Sequence, residues 1–252
     1  MAVREESLGG GWQWLDFDEA DSTNNVVRAL TAEMASGSKV VVSAVRQTAG
    51  RGRRGRQWID CAGNLFMSLA VEAEMKDLGR LVLLSSLCLF MTIKELSKDI
   101  NVKIELKWPN DVLVNGGKIS GILLEKGSGD YFVIGIGVNI AASPKGNVAV
   151  YPLVSLKEAG IDTDRVTFLK NYVAIWDKTR DTWDKEGFES LRQMWLANVK
   201  GLGEEINVTD EKETKKGIFS GVDKDGALLL GGADGIRKIR AGDVFYIKEN
   251  VE

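Results

Sequence analysis

Gly50-Arg51-Gly52-Arg53-Arg54-Gly55 satisfies G-x-G-x-x-G, follows the apolar run KVVVSAV, and precedes Glu72 by about twenty residues. In a dinucleotide-binding turn, such glycines let a pyrophosphate approach the backbone at a helix start. The same residues lie in RGRRGR, four arginines in six positions, whose guanidinium forks suit phosphate or carboxylate oxygens. A dinucleotide turn must open a helix, whereas RQWIDCAGNLFMSLA turns at Ala62-Gly63-Asn64 and enters a strand. No G-K-[ST] follows any glycine run, which removes the P-loop. Taken alone, the six residues read equally well as a solvated charged loop. Gln47, Thr48 and Trp58 bracket it with hydrogen-bonding groups and an aromatic face, as a phosphorylated nucleotide would require.

A second constellation is Lys107-Trp108-Pro109-Asn110-Asp111, with Lys118 eleven residues after Lys107. Pro109 rules out a central ladder position and Asn110-Asp111 favours a turn, so Lys107 and Lys118 can converge across a hairpin-like return. Two ammonium groups beside an arginine loop repel unless an anion joins them. Gly121, Gly135 and Gly137 add strand positions open to a ligand or another backbone. The plainer alternatives are a core Trp108, an exposed Lys107 and bulge glycines without a ligand.

The whole chain narrows the chemistry. It has 252 residues, 33 basic against 36 acidic, a net charge of -3 and no histidine. Imidazole acid-base catalysis, a serine triad and a zinc-histidine site are thereby excluded. An acidic balance argues against a general nucleic-acid coat. Yet Val45 to Trp58 holds five arginines and no acid, a local positive island suited to a small anionic ligand. Cys61 and Cys88 stand without a C-x-x-C partner, so neither a disulfide framework nor a thiolate metal site is expected. The longest apolar run, Leu81 to Ile93, is shorter than the roughly 20 residues of a membrane span. With no signal-type amino terminus, a cytoplasmic protein that does not enter the membrane is expected.

The elements that must carry these residues alternate between strands and helices. WQWLDFDEA reads as the first strand, and DSTNN caps a helix through Val26, Val27, Leu30 and Met34 that Gly37 ends. KVVVSAVR and NLFMSLAVEA read as strands, and Leu78 to Ser97 as a long buried helix. NVKIELKWP, DVLVNGG, KISGILLEKG and DYFVIGIGVNI form a run of strands joined by turns. Helices are predicted over Arg165 to Trp183 and Phe188 to Val199. After Gly201, EEINVTD, KKGIFSGVD, GALLLGG, IRKIR and DVFYIK are short strands with a turn every eight or so residues, predicting a small barrel. The expected division is therefore 1–200 and 201–252.

STNN, QTAGRGRRGRQW, GNLFMSL, KWPNDV, GGKISGILLE, GIGVNI, GVDKDGALLL and AGDV follow in order the motifs of biotin protein ligases. The chain resembles the monofunctional members, because about a dozen residues before its first expected strand leave no room for the DNA-binding domain of repressor-type members. The resemblance implies an α+β fold. A mixed, mainly antiparallel sheet with helices forms a class II synthetase-like catalytic domain for biotin and ATP, and a small C-terminal β-barrel follows. It also implies ATP-dependent ligation of biotin, through biotinyl-5'-AMP, to a lysine of a biotin carboxyl carrier protein, with release of AMP.

By the same resemblance, Ser22, Thr23, Asn24, Gln47, Gly50, Arg51, Lys118, Gly121 and Gly135 bind biotin. Arg53, Trp58, Asn110, Lys118 and Asn139 bind ATP, with Trp58 stacked on adenine. Lys118, Arg53, Arg51, Lys107 and Asp111 form the catalytic set. Magnesium enters as MgATP, no tightly bound metal and no specific DNA binding are expected, and a homodimer is allowed. Two segments depart from the family pattern: Trp58-Ile59-Asp60-Cys61 lacks its serine-proline pair, and Pro152-Leu153-Val154-Ser155-Leu156 replaces A-T-S-L. A lipoate ligase of the same superfamily, or a non-enzymatic nucleic-acid module using RGRRGR, are the alternative readings.

Overall fold

In the central strands, period-two alternation sorts side chains onto two faces of one sheet. In β3 (Lys39–Gln47), Val41 joins the larger apolar cluster and Val42 the smaller. In β4 (Leu65–Glu72), Leu69 and Val71 go one way and Ala70 the other. The computed structural model describes residues 3–145, 151–210 and 213–246. Its large sheet also contains β1 (Val3–Ser7), β2 (Trp12–Ala20), β5 (Ile104–Lys107), β6 (Asp111–Val114), β7 (Gly117–Lys126) and β8 (Tyr131–Val138). The spatial order is β1-β2-β3-β4-β8-β7-β6-β5, antiparallel throughout except for the β2–β3 pair. That exception follows from α1 (Thr23–Leu30), which carries the chain between β2 and β3.

The helix α1 packs Val27 against Val42, Ala70 and Val133 on the smaller face. The helices α2 (Leu78–Leu96), α3 (Arg165–Glu186) and α4 (Glu189–Leu196) cover the other. Residues 133, 135 and 137 share parity in β8, so Gly135 and Gly137 lie on the α1 face. Two expectations are corrected. WQWLDFDEA is not the first strand: β1 precedes it, and VREES, exposed along its length, shows no apolar alternation and is held only by its ladder to β2. The helix α1 ends at Leu30 rather than near Gly37: past Thr31 the chain tightens into i→i−3 turns, with the Ala32 N–H donating to the Ala29 carbonyl at 3.2 Å and that of Glu33 to the Leu30 carbonyl at 3.0 Å.

The C-terminal strands are β9 (Glu205–Thr209), β10 (Thr214–Val222), β11 (Leu228–Gly232), β12 (Gly235–Ile239) and β13 (Asp243–Tyr246). They form an antiparallel sheet in the order β12-β11-β10-β9-β13. Among the described residues no ladder joins β12 to β13, so the expected barrel is here a five-stranded sheet. The last two residues of the expected strand DVFYIK, 247 and 248, lie outside the described residues. The C-terminal strands dock on the rest of the molecule through Trp108 Nε1, between β5 and β6, which donates to the Gly226 carbonyl at 3.1 Å, and through Arg80 of α2, 2.7 Å from Asp225. Among the described residues no helix is long and apolar enough to cross a membrane.

Candidate functional site

The glycines of β7 and β8 make the floor of a cavity on the α1 face. Gly121 and Gly137 are direct ladder partners, and Gly135 faces Ser68 across β4. A side chain on Gly135 would run into the Asn24 amide, and one on Gly137 into the Trp58 indole. The cavity has a volume of about 620 Å³. Four cationic side chains, Arg51, Arg53, Arg56 and Lys118, and two carboxylates, Asp111 and Asp243, line it. Its lining therefore carries an excess of positive charge.

One end is polar and closely hydrogen-bonded. Ser22, Thr23 and Asn24 begin α1 and are buried. Gln47, closing β3, accepts from the Thr23 N–H at 2.8 Å. The Ser68 hydroxyl bridges Thr23 Oγ1 and Asn24 Oδ1 at 2.7 and 2.6 Å. Asn24 Nδ2 donates to Glu125 at 2.6 Å, and Glu125 in turn pairs with Arg51 at 3.3 Å. Arg51 also donates to Asn25 Oδ1 at 2.8 Å.

The arginine loop forms the other wall. It opens no helix of useful length, only a single 3-10 turn over Arg53–Gly55, with Arg54 and Gly55 in the left-handed region at φ 55° and 70°. Gly50 sits behind the lining: the Trp58 N–H donates to its carbonyl, and a Cβ there would stand 2.8 Å from the Trp58 carbonyl oxygen. Arg53 donates to Asn110 Oδ1 at 3.1 Å. Burial pulls the Arg53 guanidinium below the ordinary arginine value, against the opposing effect of Asp243 and Asp111. The loop has no acid of its own, yet three of its four cations are paired, with Glu125 for Arg51 and Asp243 for Arg54 and Arg56, while Arg53 meets only neutral acceptors.

The KWPND turn and β7 bring the lysines together around one carboxylate. Lys118 Nζ lies 2.7 Å from Asp111 Oδ1 and 5.7 Å from the centre of the Trp58 ring. Lys107 lies outside the lining and is almost completely buried, with Nζ 3.5 Å above the Tyr151 ring. Desolvation pushes its ammonium down to about 8, and Lys118 adds to this while Asp111 opposes it. Asn110 donates to the Ile122 carbonyl at 2.7 Å. Asn139 reaches the Val154 carbonyl at 3.3 Å and still lines the cavity. Trp58 Nε1 is buried without a hydrogen-bond partner.

Every candidate site residue except Gly50 and Lys107 thus lines one cavity. Sequence reasoning passed over Asn25, Glu125, Tyr151 and Asp243. STNN and GILLE contained the first two as motif letters, and AGDV contained Asp243, but nothing in linear order ties them to an arginine far away in the chain.

This fold and cavity have relatives. Residues 17–140 match the biotin/lipoate A/B protein ligase family, and residues 201–246 match the biotin protein ligase C terminal domain. The chain is 38% identical over 236 residues to the biotin--[acetyl-CoA-carboxylase] ligase of Paracoccus denitrificans, covering 90% of this chain and 97% of that protein. It is 30% identical to the bifunctional ligase/repressor BirA of Bacillus subtilis, covering 93% of this chain and 74% of that one. The structure of the Aquifex aeolicus biotin protein ligase in complex with biotin and ATP superposes with a TM-score of 0.80 at 26% identity, covering 94% of this chain and 99% of that one. The chain belongs to the biotin/lipoate A/B protein ligase family.

Proposed function

We propose that this protein is an ATP-dependent biotin–protein ligase that acts in the cytoplasm on a biotin carboxyl carrier protein. The biotin carboxylate attacks the α-phosphorus of ATP, pyrophosphate leaves, and biotinyl-5'-AMP forms. The amine of the carrier's acceptor lysine then attacks the acyl carbon and AMP leaves. The observation that carries this reading is the joining, in one cavity, of a neutral polar end built on Ser22, Thr23, Asn24 and Gln47 with a cationic wall. A ureido head needs neutral donors and acceptors, and a carboxylate meeting a triphosphate needs positive charge.

In this reading Thr23, Asn24 and Gln47 hold the biotin head over Gly135. Lys118, Arg51 and Arg53 hold the carboxylate and phosphate oxygens, and Trp58 and Asn139 receive the adenine. Asn110 and Asp111 orient Arg53 and Lys118, Gly50 shapes the loop, and Lys107 supports from behind. No covalent nucleophile is required, since the reaction asks for position and charge. Magnesium supplies charge neutralisation on the phosphates when it arrives with ATP. Asp111 Oδ1 is taken by the Lys118 ammonium at 2.7 Å, so in this reading the metal would be held by the phosphates of the nucleotide. Residues 1–200 are the proposed catalytic domain and 201–252 the proposed C-terminal domain.

ATP–pyrophosphate exchange tests the reading. Exchange is expected with biotin and absent without it. Exchange that responds to lipoate and not to biotin would move the chain to the lipoate branch of the family.

A further inference from the structure

We propose that Asp243, at the start of β13, is a positioning residue for the nucleotide half of the cavity. It anchors the arginine loop to the C-terminal sheet and so holds Arg53 where phosphate must bind. Within 201–246 it is the sole described residue that lines the cavity. Its Oδ2 accepts from Arg54 at 3.3 Å and from Arg56. The same strand ends take two further donors from the loop. Arg54 reaches the Thr209 carbonyl at 3.3 Å, and Arg53 reaches that of Gly242 at 3.4 Å. Thr209 and Asp243 are ladder partners of β9 and β13, so these contacts converge on one end of the C-terminal sheet. Gly242 lets β13 begin close against β9, since a Cβ there would stand 2.8 Å from Val208 Cγ1.

The electrostatics give the anchor its purpose. Four guanidinium groups within six residues repel one another, and the loop contains no acid. The Asp243 carboxylate is only 17% exposed, against 52% for Arg56, so the pairing is less screened at the acid than an ordinary surface bridge. Its single negative charge offsets one of the two positive charges of Arg54 and Arg56, which then act as struts. Arg51 is tied separately to Glu125 and Asn25, and Arg53 to Asn110. In this arrangement the C-terminal sheet completes the ATP site through one carboxylate. The opposite role, a carboxylate that competes with phosphate for the arginines, predicts that its removal tightens ATP binding.

The nucleotide part of this proposal rests on the ligase reading, and the anchor part does not. The test uses Asp243→Asn, of the same shape without the charge, and Arg56→Ala, at an exposed side chain whose loss does not disturb the core. In ligand-free full-length protein, trypsin should cut Asp243→Asn after Arg51, Arg53 or Arg54 about five- to tenfold faster than the parent, as expected when a charge-assisted tether is lost. In pyrophosphate exchange, the KM for ATP should rise about tenfold in Asp243→Asn and about threefold in Arg56→Ala, with the KM for biotin within about twofold of the parent in both. In the double variant the two effects should be clearly less than multiplicative, since both remove one contact. Unchanged loop cleavage, multiplicative effects, or a lowered KM for ATP would each overturn the anchor. If the parent shows no biotin-dependent exchange, the ligase reading fails while the trypsin arm still decides whether the loop is tethered.

Discussion

Lys118 and Lys107 both have Asp111 for a neighbour, but only Lys118 pairs with it and opens on the cavity. A charge already paired with a carboxylate and exposed to a ligand is preorganised for an oxyanion. Lys118→Ala is therefore expected to slow adenylate formation about a hundredfold or more while leaving the fold intact; single-turnover kinetics on a variant with parental melting temperature checks it. Lys107 titrates differently. Buried under Tyr151, it loses its proton at about 8 in the folded chain, against an ordinary lysine value of 10.5. Between those values the folded chain binds fewer protons than the unfolded one, so Lys107 alone makes stability rise with pH. Below about 8 the buried charge is a cost. Lys107→Met should accordingly stabilise the protein at pH 7, by at most about 3 kcal/mol at 1.4 kcal/mol per pKa unit, and the gain should shrink as pH approaches 10. Urea unfolding at both pH values decides this, and a Lys107→Met protein less stable than the parent at pH 7 would sink it. Trp58→Ala should weaken ATP by roughly 1 to 3 kcal/mol, the worth of one base–aromatic stack, with biotin much less affected; calorimetric titration of each ligand separates these.

The strand β8 shows how an element serves the site through what it omits. Its apolar residues Phe132, Ile134 and Ile136 hold the helix-covered core, and on the opposite face Gly135 and Gly137 leave room for Asn24 and Trp58. A Gly135→Ala methyl would run into Asn24 Oδ1 and stand 2.8 Å from Asn24 Cγ, closer than packed atoms approach. The Asn24 amide must then leave its bonds to Ser68 and Glu125. The expected result is a KM for biotin raised about tenfold or more with the KM for ATP changed less, in line with a loss of one or two well-placed hydrogen bonds. Equal changes for both substrates would place Asn24 outside the biotin end. Strands of this kind are legible in sequence, because alternation and glycine spacing are local. So are α2 and the GRGRRGR and KWPND motifs. β1 is not, since VREES has no apolar side to read and exists as a strand only by pairing. Nor are Glu125, Tyr151 and Asp243 as site residues, because each acts on a group that only the tertiary fold brings near.

At the scale of the whole molecule, the two sheets share one core. Ile206, Val208, Phe219 and Val244 of the C-terminal sheet belong to the same apolar cluster as Leu81, Trp108 and Trp195. Gly79 and Gly226 meet backbone to backbone at the junction, where a side chain on either would clash. Trp108 Nε1 spans it to the Gly226 carbonyl inside that core, where an unpaired acceptor costs about 1 to 3 kcal/mol. A boundary of this kind divides the chain in sequence without dividing it energetically. The two sheets are therefore expected to unfold together: near-ultraviolet circular dichroism, dominated by tryptophans of the large sheet and its helices, and hydrogen exchange of β9–β11 should report one coincident transition. Trp108→Phe, which keeps an aromatic ring but drops the donor and leaves a cavity where the larger indole packed, should destabilise that single transition by at least about 1 to 3 kcal/mol. It should shift both probes equally. Loss of protection in β9–β11 at a denaturant concentration where the tryptophan signal is still native would show that the C-terminal sheet is an independent unit, and that the shared cluster does not couple it to the site.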